Sequence, residues 1–282
     1  MWILFALTSA TILASRKIQE KKLVGNIGPA LGWMLRLVSG ICALIIWVIF
    51  SRDTVGMTDP VVISVILAVA LLYPLQTHLY YRAMYAMPIS VFGMMAGIVP
   101  LTSLILSHIF LGSPVSSFGL IAIGFTILAI AILSYKRDHG DVHISAILYA
   151  IGAYVLFGIG SVLDRTALYH IAPIPYTVLN QIVGAISIFV YTHSLLGNTQ
   201  VQAARENIPV ILMIGGTIAI SWLLSSQALL LAPNPGYVGA LQNVHMLITA
   251  LYGVFILKEE ITKRKIFVFI CMLIALVSFA FA

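Results

Sequence analysis

A succession of long apolar runs constrains the fold of this chain more than any other feature. The 282 residues contain ten such runs, each roughly 20 residues long and joined by connections of roughly 3–12 residues. A helix needs about 20 apolar residues to cross a bilayer core about 30 Å thick, since it rises about 1.5 Å per residue. Backbone groups inside that core find no water, so each run must be a helix. The sequence therefore predicts an all-α integral membrane protein with ten transmembrane helices.

The predicted helices follow the apolar runs, and several open on a proline, whose missing N–H costs nothing in the first turn. Residues 1–14 lack the basic start of a signal peptide, so the first helix is expected to be retained. Numbered 1 to 10 in chain order, the predicted helices span residues 1–20, 29–50, 61–82, 88–111, 115–135, 145–165, 175–196, 209–231, 235–257 and 263–282.

The composition excludes a water-soluble protein. Hydrophobic residues make up 61% of the chain and charged residues 9%, whereas a soluble chain carries about 25% charged residues. The net charge of +6 does not indicate nucleic-acid binding, because the basic residues cluster in short loops that can contact lipid headgroups. Cys42 and Cys271 lie in apolar runs and are interpreted as buried hydrophobic residues. The expected partner is a lipid bilayer, in the cell (inner or plasma) membrane.

A weak internal repeat divides the chain into residues 1–140 and 141–282. Matches keep the same order over about 115 residues, at offsets that drift from 144 to 146. Each half contains five predicted helices, and an odd number inverts the second half across the membrane relative to the first. The matched pairs include Ile3-Leu4-Phe5-Ala6 with Ile147-Leu148-Tyr149-Ala150, Glu20-Lys21 with Asp164-Arg165, Leu35-Arg36 with Leu179-Asn180, Gly40 with Gly184, and Gly97 with Asn243.

The distribution of basic residues predicts an orientation. The connections after the odd-numbered helices hold 12 Lys and Arg residues, whereas the opposite face holds only Arg52 and Arg165. Cytoplasmic loops carry the excess of Lys and Arg in membrane proteins. The odd-numbered connections are therefore expected in the cytoplasm, with both termini outside.

The chain resembles a ten-helix EamA-type transporter of the drug/metabolite transporter superfamily. The resemblance rests on YYRAMYAMPISV and SSQALLLAPNPGYV at the ends of predicted helices 3 and 8, on Arg36, and on LKEEIT after helix 9. It implies two EamA-like repeats and secondary transport of a small metabolite. The first half departs from the pattern at Leu111-Gly112-Ser113-Pro114, which lacks the acid kept at Glu259-Glu260. Members of the family commonly place both termini in the cytoplasm, opposite to the charge count.

Arg36 is the first candidate for substrate binding. It lies about seven residues into predicted helix 2, roughly 10 Å from its start. A guanidinium at that depth costs several kcal/mol unless it is paired or hydrated, and such residues are often functional. Arg36 either binds an anionic or zwitterionic substrate or ties neighbouring helices together, and Asn180 at the equivalent position could serve the second purpose.

A polar face on predicted helix 3 supplies further candidates. Tyr73, Gln76 and Tyr80 recur at helical spacing and can line an aromatic cavity. Trp222 in helix 8 occupies a comparable place, although aromatic residues are also typical of the headgroup region.

Predicted helix 9 carries Gln242, Asn243 and His245 within an apolar run. Gln242 and His245 share one face, whereas Asn243 can simply hydrogen-bond another helix. His245 is either a proton carrier or a neutral hydrogen-bonded residue. Glu20 and Asp164 are expected at the membrane interface, leaving no carboxylate deeper in the bilayer.

These features favour a carrier with a central cavity built from predicted helices 2–4 and 7–9. No nucleotide loop, zinc pair or nucleophile elbow is present in the sequence, so no enzyme activity, cofactor or metal is expected. The second hypothesis is a non-transporting membrane scaffold, and a pocket reaching Gln76, Gln242 and Trp222 would count against it. The sequence leaves the oligomeric state open, a homo-dimer included.

Overall fold

The computed structural model describes residues 1–135, 144–195, 197–245, 248, 252, 255, 258 and 262–281, and every regular element within them is a helix. Short 3-10 turns, Gly28–Ala30 and His193–Leu195, extend two of the connections. The twelve α-helices described are α1 Trp2–Ile27, α2 Leu31–Phe50, α3 Pro60–Ala86, α4 Ile89–Met95, α5 Ile98–Leu111, α6 Ser117–Tyr135, α7 Ile144–Leu168, α8 Pro173–Thr192, α9 Asn198–Glu206, α10 Ile208–Leu231, α11 Pro235–Gln242 and α12 Lys263–Ala280.

Six helical segments of the described chain are long and apolar enough to cross a bilayer. Two shorter apolar helices, at 117–129 and 266–278, accompany them. The chain is therefore a multi-pass integral membrane protein, as expected from the sequence. The six segments are Trp2–Phe50, Pro60–Ala86, Val91–Leu111, Ile144–Leu168, Pro173–Thr192 and Ile208–Leu231.

Helix α1 is longer than predicted. It continues to Ile27 instead of ending at residue 20, so the whole basic cluster from Arg16 to Lys22 lies inside the helix. The prediction was wrong because it read charges as the end of a membrane span. Here Lys17 and Glu20 are buried and have partners within the bundle, which removes the need to reach the interface.

The fourth predicted helix is broken in the structure. Helix α4 ends at Met95 and α5 begins at Ile98, with i→i+3 hydrogen bonds such as Gly97 N–H to the Met94 carbonyl (3.3 Å) between them. In the second half, α11 ends at Gln242 and Asn243 is its C-cap. Gly97 and Asn243 are equivalent in the repeat, so both halves interrupt this helix at the same place. Most of predicted helix 9 beyond residue 245 lies outside the described residues.

The short helix α9 was not predicted. Its sequence, NTQVQAARE, is polar and was interpreted as a connection. The helix packs on α1, and Ala204 is its buried residue. A helix too polar to enter lipid thus covers one end of the bundle.

The two halves pack with an approximate two-fold pattern. Helix α2 contacts its repeat counterpart α8, and α6 contacts its counterpart α12. Helix α3 packs on α7, just as its counterpart α10 packs on α1. The repeated sequence therefore corresponds to repeated packing, although the predicted boundary at 140/141 lies outside the described residues.

Candidate functional site

A large cavity lies between the two halves. About 1000 Å³ of space free of protein atoms, part of it open to solvent, lies in this cavity, and both repeats line it. The lining is mixed, with aromatic rings, hydroxyls, amides and charged groups. Such a combination is typical of small-molecule sites, where a few polar groups orient an otherwise apolar ligand.

The structure brings the residues predicted for the site together. A second, smaller space of about 480 Å³ is bordered by Arg36 and by Gln181 and shares several residues with the first. Asn180 lies within hydrogen-bonding distance of Arg36. The larger cavity is lined by Tyr73, Gln76, Tyr80, Trp222, Gln242, Asn243 and His245.

The helices around the larger cavity differ from those predicted. Its lining comes from α1, α3, α7, α10 and α11, with Ala96 and Val99 near the α4–α5 break, and includes no residue of α2 or α8. Helices α2 and α8 pack tightly on one another instead. The prediction placed them at the cavity because Arg36 and Asn180 were candidates for substrate binding.

Arg36 and Asn180 form a contact between equivalent positions of the repeats. The Arg36 guanidinium stacks on the ring of Tyr73, 3.7 Å from its centroid, and Nη1 lies 3.4 Å from Asn180 Oδ1 and from Gln181 Oε1. The Tyr73 hydroxyl donates to Asn180 Oδ1 at 2.8 Å. Cation–π and hydrogen-bond contacts thus offset the cost of burying this charge. Arg36 therefore connects neighbouring helices, which is one of the two roles that the sequence allows for it. Arg36 also borders the smaller space.

A lysine–histidine contact joins α1 to the chain after α11. Lys17 Nζ lies 2.6 Å from His245 Nε2, and His245 Nδ1 lies 2.7 Å from the Gln242 carbonyl. A carbonyl only accepts, so Nδ1 carries the hydrogen and Nε2 accepts from the ammonium of Lys17. The ammonium also faces the rings of Phe92 and Tyr154, at 5.7 and 5.5 Å. His245 is therefore held in one orientation by partners from both halves.

The side-chain amides of Gln242 and Asn243 bind different partners. Gln242 Nε2 donates to Ser225 Oγ (2.8 Å) and Ser9 Oγ (3.2 Å) and so connects α11 with α10 and α1. Asn243 Nδ2 donates to the Ala96 carbonyl (3.2 Å) at the break between α4 and α5. One interrupted helix thus supplies a donor to the backbone of the other, in agreement with the interhelical role considered for Asn243.

Glu20 and Asp164 are not interfacial, which corrects the sequence prediction. Glu20 is 1% exposed and Asp164 is 4% exposed. Arg16 Nε lies 3.0 Å from Glu20 Oε1, and the Tyr80 hydroxyl donates to Glu20 Oε2 at 3.3 Å. Tyrosine and amide donors also surround Asp164. The prediction failed because it judged each charge by its distance from the end of an apolar run.

Sequence reasoning missed several residues of the site. Glu20 and Asp164 occupy equivalent positions of the repeat within predicted helices. This repeated acidic position could have identified both residues from the sequence. The serines gave no signal, because hydroxyls are common on membrane helices. The missed lining residues are Ser9, Arg16, Lys17, Tyr154, Asp164, Ser221 and Ser225.

A cavity between repeated halves of a helical bundle is the arrangement found in many membrane transporters. The model of the EamA-like transporter family matches this chain twice, at residues 1–135 and 144–281. The chain belongs to that family and is a membrane transporter. The family assigned by resemblance is therefore confirmed.

Comparison with solved structures supports the same fold. One crystal structure of a protein aligns with a TM-score of 0.71 and 12% sequence identity, covering 98% of this chain and 94% of the other. At that identity the similarity concerns the fold alone. No curated protein matches the sequence.

Proposed function

We propose that this protein is a secondary carrier that moves a small polar or amphipathic metabolite across the cell membrane by alternating access. The observation that carries this proposal is the cavity of about 1000 Å³ lined by equivalent helices of both halves. A ligand bound there touches both repeats, so a rocking motion of one against the other changes the side from which it is reached. One chain supplies the whole cavity, and a homo-dimer is not required.

The proposed topology is ten transmembrane helices in two inverted five-helix repeats. The packing of α2 on α8 and of α6 on α12, each helix on its own counterpart, supports a two-fold relation between the halves. Contacts between counterparts lie on the symmetry axis, which an inverted repeat places in the membrane plane. Arg36 and Asn180 then lie near the middle of the bilayer.

The lining indicates what such a substrate contains. Phe157, Trp222 and Leu229 offer an apolar surface, whereas Gln76 and Gln242 offer amide groups. Each charged lining residue is a candidate for a specific ionic contact. A metabolite with one apolar part and one charged part therefore fits better than a purely apolar compound.

The scaffold hypothesis is disfavoured by the same cavity. A scaffold predicts no open central space lined by polar side chains. Gln76, Gln242 and Trp222 all line the open space. A pocket lined by these three residues counts against a scaffold.

Transport is tested with the purified full-length chain in liposomes, offered a mixture of metabolites whose uptake is followed by mass spectrometry. Wild-type vesicles should accumulate at least one compound above empty vesicles. Arg36→Ala and Gln242→Ala should each reduce its flux by about five- to thirtyfold, since each removes hydrogen bonds worth about 1–2 kcal/mol at the site.

The matched controls are Arg52→Ala and Gln202→Ala, which remove the same side chains at positions away from the cavity. Both controls should transport like the wild type. Wild-type flux from Arg36→Ala and Gln242→Ala would remove these residues from the site. If no metabolite is moved by correctly folded protein, the carrier proposal is wrong.

A further inference from the structure

The repeat contains one broken ion pair. In the first half Arg16 precedes Glu20 by one helical turn, and the two side chains form a salt bridge of 3.0 Å. At the offset of 144 the equivalent residues are Gly160 and Asp164. The second half therefore keeps the carboxylate and lacks the arginine.

The space that an arginine would need is present at Gly160. A Cβ atom built on this glycine meets no heavy atom within 4 Å. Gly160 and Asp164 both line the larger cavity, as residues four apart on one helix face do. The place corresponding to the Arg16 side chain is thus part of the cavity.

Only one of the two oxygens of the Asp164 carboxylate accepts hydrogen bonds from described residues. Oδ1 accepts from the Tyr176 hydroxyl (2.5 Å) and from Asn180 Nδ2 (3.2 Å). In the described part of the chain no residue donates to Oδ2, and no Lys or Arg nitrogen lies within 4 Å of the carboxylate.

Neither neighbouring arginine forms an ion pair with Asp164, although the Arg36 charge acts on Asp164 at longer range and Arg165 Nη1 is buried with no hydrogen-bond partner among the described residues. Arg36 reaches Asn180 and not Asp164, and Arg165 donates from Nε to the Tyr169 hydroxyl at 2.7 Å. A carboxylate that is 4% exposed needs a counter-charge, because burying an unpaired charge costs several kcal/mol. No described Lys or Arg side chain supplies that counter-charge at contact distance, and Asp164 lines the cavity, so a ligand can supply it there.

We propose that the space between Gly160 and Asp164 binds a cationic group of the transported substrate, a primary ammonium or a guanidinium. The cationic group of the ligand then pairs with Asp164 as the Arg16 guanidinium pairs with Glu20. Its apolar part extends toward Phe157 and Trp222, which line the same cavity. This site rests on the proposed carrier function and specifies the charge of its substrate.

Binding is tested on detergent-purified full-length protein with three probes of one shape, 2-phenylethylammonium, 2-phenylethanol and 3-phenylpropionate. Only the ammonium should raise the unfolding temperature in a saturable way. Asp164→Asn should weaken its affinity by about ten- to a hundredfold, as expected for a charged hydrogen bond. Asp53→Asn, an acid-to-amide change in a connecting loop, is the matched control and should bind like the wild type.

A second test replaces the ligand by the missing side chain. Gly160→Arg should raise the unfolding temperature and abolish stabilisation by 2-phenylethylammonium, because its guanidinium pairs with Asp164. Gly160→Met, of similar length without charge, should not raise the unfolding temperature. In the Asp164→Asn background Gly160→Arg should lower it, since the arginine then has no partner.

Three results would overturn the proposal. They are equal stabilisation by all three probes, unchanged ammonium affinity in Asp164→Asn, and an effect of Gly160→Arg that does not depend on Asp164. Stabilisation by sodium chloride alone, lost in Asp164→Asn, would assign the site to an inorganic cation instead of the substrate. Binding without any flux in liposomes would contradict the carrier function and leave the cation site intact.

Discussion

Single glycines determine how closely the two halves approach. A Cβ atom at Gly215 on α10 would lie 2.5 Å from Val38 Cβ on α2, whereas at the adjacent Gly216 the nearest neighbour is Cys42 Sγ at 4.0 Å. Small residues allow membrane helices to gain van der Waals contacts that larger residues prevent. Of these two adjacent glycines, only Gly215 therefore lies in a close contact between helices.

Gly215→Ala is expected to destabilise the protein by about 1–3 kcal/mol, because the added methyl group overpacks a contact with a stiff β-branched residue. Gly216→Ala should be neutral or stabilising by up to about 1 kcal/mol, since alanine favours helix. Unfolding titrations of both variants in detergent measure the difference. Equal effects at the two positions would show that helix propensity, and not packing, governs this interface.

The helices themselves are interrupted where the halves cross. At the break between α4 and α5 the Ala96 carbonyl accepts from the Val99 N–H (3.1 Å) and from Asn243 Nδ2 (3.2 Å), and Asn243 lies at the end of α11. Open backbone at membrane depth is tolerated where protein groups replace the lost hydrogen bonds. The Asn243 side chain, at the end of α11, thus stabilises the break between α4 and α5. It also places a polar group beside the cavity.

Helix α3 begins with a cap that also links the halves. Asp59 Oδ1 accepts from the Val61 N–H at 2.8 Å, and Asp59 Oδ2 lies 3.1 Å from Nδ1 of His170, in the loop after α7. The Val61 hydrogen bond, assisted by His170, lowers the pKa of the Asp59 carboxyl. A lowered pKa in the folded state means that the ionised form stabilises the fold.

This cap predicts a dependence of stability on pH. The contribution of the Asp59 charge is present above the unfolded pKa of about 4 and is lost as the pH falls through the lower folded value. Asp59→Asn keeps a good cap without the charge. Its unfolding temperature should lie below that of the wild type above about pH 5, and the gap should close near pH 3. A gap that stays constant with pH would contradict the role of the charge.

The surface charge still predicts an orientation of the whole molecule in the membrane. Arg16 and Lys17 line the cavity inside the bundle, and Arg165 is buried, so none of the three belongs in a count of surface charges. Without them the odd-numbered connections retain ten Lys and Arg residues, and the opposite face retains Arg52 alone. The asymmetry therefore remains, and it favours both termini outside.

A fluorescent reporter that matures only in the cytoplasm should be silent when fused after Ala282. The same reporter fused to a chain truncated after Glu206, in the connection after predicted helix 7, should fluoresce. Western blots of both fusions establish that each is made. A bright C-terminal fusion together with a dark truncated fusion would reverse the orientation.

The sequence by itself determined that this chain is an all-helical membrane protein built as a repeat, because hydrophobic length and sequence offset are properties of the chain alone. It also identified residues such as Gln76 and Gln242 that line the cavity. The tertiary structure decided what those local patterns do not contain. Arg16, Lys17 and Glu20 look like the end of a span, but their partners come from the same helix, from His245 and from Tyr80. Whether a charge lies in lipid, at the interface or in a cavity depends on distant residues, and those contacts exist only after folding.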